Sequence, residues 1–537
     1  MPNWPAMTQY VAKHPKRAGL MAAGVGSIAV AAALAAPAMF GVADQAVAAV
    51  PVPPMSLGIN LAQPNYYSAD RALMNLAKGA GWASQRPGVR GWQKFDPAQL
   101  DGAGRIKMLL PEERGNLALV PPEGAFGDKP TRIRCTWQGR GSLSVGGAGR
   151  ASSNGGRSME FDWAPANGPK AHTAWVTLSQ VDPADPVRDL DCREKGASPT
   201  ALFSPAYLRS LTGYKLLRFM DWQSTNINAP IDWANRPTPE TQSQASKQGA
   251  SVELMVALAN EAGADPWFAM PWNADEDFQR RFATYVRDNL APGRTVYVEM
   301  GNEVWNWAFR VTTQAKEEGM AAGLAPGNIG EAMLRRYAEK STWMHKIWAD
   351  VFKATPNRLV RVISTQNANP WSARVVLDYK DTAQNFDALA TAPYFGGDTF
   401  TGDRVAQTDL DAAFRFMSAD VDAALAKAAE NKTLAARYGK RYLAYEAGQH
   451  VTSKDTALIA GTNRDPRMYD LYLKYMQGWQ AQIGDTMMLY NSVGPISHFG
   501  AWGLSEYSGQ PEADAPKQRA VSDFMRGLGG GEARAAN

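Results

Sequence analysis

The fold turns on the stretch VYVEMGNEVWNWAF, Val296 to Phe309. It opens as an apolar run, Val296, Tyr297 and Val298, stops at Gly301, and passes at once to Asn302 and Glu303 before the aromatics Trp305, Trp307 and Phe309. A short run that is apolar on both faces reads as a strand covered on both sides, as in a parallel sheet flanked by helices. A strand of this kind needs partners with the same pattern.

Seven further runs supply them: Met55–Leu61, Tyr214–Asp221, Asp265–Pro271, Leu359–Ser364, Phe386–Tyr394, Lys440–Glu446 and Ile496–Trp502. Between them lie segments with helical spacing. These are Ala69–Lys78, Ser251–Ala262, a face of Phe278, Phe282, Tyr285 and Val286, a stripe from Leu334 to Val351, Asp411–Ala436, and Tyr472, Tyr475, Met476 and Trp479. Eight strands alternating with helices predict an α/β fold, a closed (β/α)8 TIM barrel. The rhythm breaks from 95 to 198. There TRIRCTW, GSLSVGG, SMEFDW and AWVTLSQV alternate with Gly, Pro, Asn and Asp, which predicts an inserted antiparallel β domain, sandwich-like, between the first helix and the second barrel strand. The expected organisation is therefore a leader over 1–48, the start of the barrel over 49–94, the insertion over 95–198, the rest of the barrel over 199–525, and a Gly-rich unstructured tail over 526–537.

The leader has the pattern of an export signal. Lys13, Lys16 and Arg17 precede the apolar run Leu20–Ala36, and two small-residue cleavage patterns follow at Ala36-Pro37-Ala38 and Ala46-Val47-Ala48, the later one favoured. This predicts an exported chain with no membrane contact after cleavage. The alternative is an uncleaved anchor, for which the run is short and poor in Leu and Ile. Cys135 and Cys192, the two cysteines of the chain, are a plausible disulfide in an exported protein.

The charge pattern narrows the function. The first 48 residues carry Lys13, Lys16 and Arg17 against Asp44, leaving 53 basic and 51 acidic residues beyond them. That near balance offers no footprint for nucleic acid. There is no CxxC, no HExxH and no histidine cluster, so neither a metal nor a cofactor is expected.

Barrel enzymes carry their chemistry at the C-terminal ends of the strands. Here the fourth strand ends at Asn302-Glu303 and the seventh, RYLAYEAG, at Glu446. Two carboxyl groups converging at one rim are what glycosidic cleavage requires: one protonates the leaving oxygen, and the other attacks the anomeric carbon or activates water. Trp305 and Trp307 are expected to dry one of the acids and raise its pKa. Trp222, Trp272, Trp371 and Trp502 stand at expected strand ends, where flat aromatic faces can stack sugars or simply fill the core.

Asn302-Glu303 after the fourth strand and Glu446 after the seventh resemble the signature of clan A of the glycoside hydrolases, retaining (β/α)8 enzymes. The resemblance implies that Glu303 is the acid/base and Glu446 the nucleophile. It further implies that Arg218 in KLLRFMDW and Tyr394 in TAPYFGG support the nucleophile, that Asn302 contacts sugar or nucleophile, and that Trp502 in FGAWGL floors a sugar subsite. The runs FMDWQSTN, DPWFAMP and EMGNEVWN also resemble a group of secreted proteins often labelled cellulose-binding. The resemblance spans Leu57 to Tyr507. It departs at Ala392 and at Trp272-Asn273, where cellulase-like families often carry histidine, so Trp272 and Asn273 are candidate substrate contacts of a different kind. Glu299 shares parity with Glu303 and is expected to pair with an interior arginine. His450 and His498 lie near the ends of the seventh and eighth strands. The expected partner is a poly- or oligosaccharide. Two readings follow: a retaining hydrolase of β-linked sugar, or a non-catalytic carbohydrate-binding protein on a degenerate barrel. In a weaker variant of the first, the chain stays membrane-held and processes its own cell's exopolysaccharide.

Overall fold

The computed structural model describes residues 53–119, 131–163, 173–401 and 409–528. The expected leader over 1–48 lies outside the described residues. β1 (Ser56–Asn60) opens the chain. Nine strands of antiparallel sheet follow: β2 (Ala83–Gln85), β3 (Gln93–Lys94), β4 (Arg114–Ala118), β5 (Thr131–Gln138), β6 (Gly141–Gly147), β7 (Gly149–Gly155), β8 (Ser158–Trp163), β9 (Ala174–Val181) and β10 (Arg188–Glu194). The chain then returns to parallel strands: β11 (Leu216–Arg218), β12 (Asp265–Met270), β13 (Val296–Met300), β14 (Leu359–Ser364), β15 (Ala388–Thr391), β16 (Arg441–Ala444) and β17 (Thr486–Leu489). Among the described residues, β1 and β11–β17 close into a barrel of eight strands, with β17 paired to β1. The expected (β/α)8 barrel is thus the observed one.

Strand parity sorts the side chains. Leu216, Trp267, Tyr297, Val362, Leu443 and Met488 fill the barrel interior, and a larger core lies between strands and helices. Gly58 on β1 leaves room for this filling, since a Cβ there would stand 2.1 Å from the Met488 sulfur. The helices begin on side-chain caps where the sequence offers them: Ser251 caps Val252–Ala262, Asp275 caps Glu276–Asn289 and Asn328 caps Ile329–Val351.

Two elements differ from the sequence reading. Ala69–Lys78 is no helix. Its backbone at Ala72 and Met74 bonds to Ser204 and Leu202, and a single 3-10 turn, Leu76–Gly79, follows. The segment is held extended against the chain returning from the insertion, so tertiary pairing overrides its local helical spacing. The eighth barrel strand is TMML, Thr486–Leu489, and not Ile496–Trp502. The preceding helix ends at Gln482, and a short connection through Gly484 and Asp485 leads straight into β17, as short αβ loops do. Residues 496–502 form an irregular loop beyond the strand, with a bridge between Ser497 and Gly500.

The antiparallel strands form a four-stranded sheet, β10-β5-β8-β7, and a five-stranded sheet, β3-β2-β4-β9-β6. They share a buried core that includes Ile133, Phe161, Trp163, Val176 and Leu178. β2 and β3, which the sequence reading assigns to the barrel's start, pair into this second sheet through β4. Cys135 on β5 and Cys192 on β10 are direct cross-strand partners and are disulfide-bonded. At the other end of the chain, residues 526–528, expected in an unstructured tail, complete the helix Pro516–Leu528. Among the described residues no helix is long and apolar enough to cross a membrane.

Candidate active site

Because the barrel strands are parallel, their C-terminal ends share one face. Arg218, the last residue of β11, is fully buried there and commits every N–H it has. Its Nε and Nη2 reach Glu299 Oε1, each at 2.7 Å. Nη1 donates to Glu446 Oε1 at 2.7 Å and to Asn60 Oδ1 at 2.9 Å, and Nη2 donates to Asn302 Oδ1 at 2.7 Å. Residues from β1, β11, β13 and the end of β16 are thereby tied to one guanidinium. Glu299 is the structural partner in this set, its second oxygen accepting from Ser364.

Glu446 and Glu303 sit differently. Glu446 is 5% exposed, and its other oxygen accepts the Tyr394 O–H at 2.9 Å. Glu303 is 9% exposed and, among the described residues, forms no ion pair. Its Oε1 accepts from the Tyr445 O–H at 2.9 Å and its Oε2 from Asn306 Nδ2 at 2.8 Å. Burial, then the neighbouring Glu446 charge, push the Glu303 carboxyl up to about 7. Burial also raises Glu446, opposed by Arg218 and the Tyr394 hydrogen bond. The acid without the arginine is the better proton carrier of the pair. Burial holds the Tyr394 and Tyr445 phenols well above their usual range, so both stay O–H donors at neutral pH. Glu303 is also aimed by its backbone. Gly301 (φ 68°) turns the chain off β13, and Glu303 itself takes a left-handed φ of 43°, a conformation that costs a non-glycine residue about 1–3 kcal/mol and persists only where the surroundings enforce it.

Asn302 lies in the same network, its amide donating to Asn226 at 3.0 Å. Trp502 also reaches the site, though not from a strand end. It lies thirteen residues beyond Leu489, and its ring packs edge-on to His450, Tyr394 and Tyr490 with centroids at 4.3, 5.8 and 5.9 Å. Other tryptophans are placed elsewhere. Trp222 is fully buried against Phe203 and Phe219, with its N–H donated to Ala62. Trp272 is buried and donates to Glu318. Both are core residues because their side chains leave the strand ends toward the helices. Asn273 is held by Asn228 and Gln314. Trp305 packs half-buried on the strand–helix core, and Trp307 is 57% exposed, so the drying of Glu303 expected of Trp307 falls instead to the barrel mouth around Tyr445. Trp371 is exposed at the start of the helix Pro370–Leu377, and His498 is exposed against Phe499.

Three residues of the site escaped the sequence reading: Asn60, Tyr445 and Tyr490. Asn60 and Tyr445 share the interior parity of Gly58 and Leu443, a signal that was present in the strands. Tyr490 stands just past the end of β17, and the misplaced eighth strand hid its signal. Among the described residues no group of three or more His, Cys, Asp or Glu side chains is placed to hold a metal ion.

No family model matches the chain, and no curated protein does. Parts of the chain are similar to solved structures. A beta-glucosidase from Thermotoga maritima is 12% identical, over 59% of this chain and 84% of that one, at a TM-score of 0.32. A 4-O-alpha-L-rhamnosyl-beta-D-glucuronidase from Fusarium oxysporum is 10% identical, over 58% and 62%, at 0.37. A family 51 alpha-L-arabinofuranosidase from Bifidobacterium longum is 13% identical, over 61% and 68%, at 0.35. Likeness at these levels carries no functional weight.

Proposed function

We propose that the chain is an exported retaining glycoside hydrolase of β-linked poly- or oligosaccharide. Glu446 acts as nucleophile and Glu303 as acid/base, with no cofactor. One observation carries the reading: two buried carboxyl groups at the same barrel mouth, one paired to Arg218 and Tyr394, the other without an ion pair among the described residues and raised to about 7. A cation on one carboxyl group and none on the other is the kind of difference in environment that assigns a nucleophile and an acid. Glu303 donates its proton to the glycosidic oxygen while Glu446 attacks the anomeric carbon. Water then enters with Glu303 as base, and the glycosyl–Glu446 ester is cleaved with net retention. Arg218 and Tyr394 hold both Glu446 oxygens in place during attack, and Asn302 is steadied by Arg218 beside them. Trp502 offers an apolar face against Tyr394 for the sugar ring. The antiparallel sheets serve as an accessory unit on this reading, stapled by Cys135–Cys192.

Glu446→Gln tests the reading. Turnover of β-glycosides should fall by at least about 10³-fold with an unchanged circular dichroism spectrum, and the wild-type product should be released with retained anomeric configuration by NMR. Full activity in that variant would refute the assignment. The low exposure of both carboxyl groups favours a second reading, a carbohydrate-binding barrel without turnover. Binding of insoluble glucan with no release of reducing sugar would select it.

A further inference from the structure

We propose that Lys517 is a positioning residue: through the carbonyl of Ala501 it sets the Trp502 ring at the sugar face of the site. The inference deepens the carbohydrate reading above and rests on it, though not on turnover. Lys517 lies in the first turn of the last helix, Pro516–Leu528, and is buried. Its Nζ donates to the Ala501 carbonyl at 2.6 Å. Gln449, three residues past Glu446 and also buried, donates its side-chain amide to the same oxygen and accepts the Val451 N–H at 2.6 Å. A carbonyl oxygen carries two lone pairs, so two donors occupy both and hold the peptide plane in one orientation. The Cα of Trp502 lies in that plane. The carbonyl of Trp502 itself accepts the Asn491 N–H at 3.2 Å, and its indole N–H goes to the Phe499 carbonyl at 3.2 Å. Gly500 (φ 135°) makes the turn before it, where a Cβ would stand 2.7 Å from the Trp502 indole nitrogen.

Burial alone gives no reason for a lysine at this position. Among the described residues Lys517 forms no ion pair, and Glu506, a carboxyl group within electrostatic reach, is held by Arg464 at 2.6 Å. Burial pushes the Lys517 amine down to about 7, so the folded state opposes its charge. A methionine of similar length would fill the space without that cost, but it could not donate. What the lysine supplies is therefore the hydrogen bond to Ala501, and the side chain next along from that bond is Trp502. The ring stands edge-on to His450, Tyr394 and Tyr490, with centroids at 4.3, 5.8 and 5.9 Å. Tyr394 in turn gives its O–H to Glu446 at 2.9 Å. A turn of the peptide plane between Ala501 and Trp502 would swing the ring out of this group. With its indole N–H spent on Phe499, Trp502 offers a sugar its carbon face. The last helix supplies none of the site's carboxyl groups, yet through Lys517 it governs how a sugar ring lies beside Glu446.

The test is a double-mutant cycle on the full chain, read by calorimetric titration with soluble β-linked gluco-, xylo- and manno-oligosaccharides. Trp502→Ala should weaken the tightest-binding of these about tenfold, and Lys517→Met at least about fivefold. In the Trp502→Ala background Lys517→Met should cost about twofold or less, since the ring through which it acts is gone. Additive losses, or no loss in a folded Lys517→Met or, failing that, Lys517→Leu, would overturn the proposal. A second readout needs no ligand. In a chain labelled with fluorotryptophan, the fluorine resonance that disappears in Trp502→Phe should shift or split in Lys517→Met, while those of Trp137, Trp163 and Trp175 in the antiparallel sheets stay in place. An unmoved Trp502 resonance would also overturn the proposal. If wild type binds none of the oligosaccharides and the resonance still moves, the carbohydrate reading falls and the placement of Trp502 by Lys517 stands.

Discussion

Glu303 shows how much one residue is asked to tolerate. It is buried without a cation, beside another carboxyl group, on a left-handed backbone. A carboxyl whose folded pKa lies above its unfolded value favours the folded state below about pH 4.5 and loses that contribution as pH rises through about 7. Glu303→Gln should therefore be more stable than wild type at pH 8, on the order of 1–3 kcal/mol, with the gap closing toward pH 4.5. Thermal melts at the two pH values measure it. On the catalytic reading the same variant loses about 10²–10⁴-fold in kcat, and wild-type activity declines above about pH 7 as Glu303 gives up its proton. A gain in stability paired with a loss of turnover is the signature of a residue kept for chemistry.

At the scale of elements, the barrel strands carry two instructions at once: inward residues fill the interior, and the last residues set polar side chains at the mouth. Gly58 belongs to the first. Gly58→Ala would drive a methyl into the Met488 side chain and should cost about 1–3 kcal/mol, read as a lower denaturant midpoint with unchanged secondary structure. The instructions were legible to different degrees. β13 and β16 were plain because apolar runs ended in Glu303 and Glu446, whereas Arg218 was expected only through the family resemblance. β17 was missed because TMML is short and built from methionine, while ISHFGAW beyond it imitates a strand. Ala69–Lys78 was misread because its spacing is helical and its hydrogen bonds are not: Met74 gives its N–H to Leu202, more than a hundred residues away. Whether Trp222 and Trp272 turn toward the core or the cleft depends on the local path of each loop, which spacing does not encode. Trp502 joined the site by an unforeseen route. Gln449 and the buried Lys517 both donate to the carbonyl of Ala501, just before it.

At the scale of the whole molecule, two cores are spliced together, one in the barrel and one between the antiparallel sheets. The bond between Cys135 and Cys192 staples the second alone. Replacing both with alanine should destabilise the sheets by about 2–4 kcal/mol and leave the barrel's own unfolding transition in place, seen as an earlier first step in calorimetry. Asn60 has the longest reach. It ends β1, touches Arg218 across the whole insertion, and donates to the carbonyls of Tyr445 at 3.0 Å and Leu489 at 3.1 Å. The seam of the barrel therefore joins an early stretch of chain to one read more than four hundred residues later. A ribosome delivers Asn60, Arg218, Glu303 and Glu446 in that order, yet the ring cannot shut until β17 emerges. A nascent or prematurely ended chain can hold all four residues and still have no assembled site.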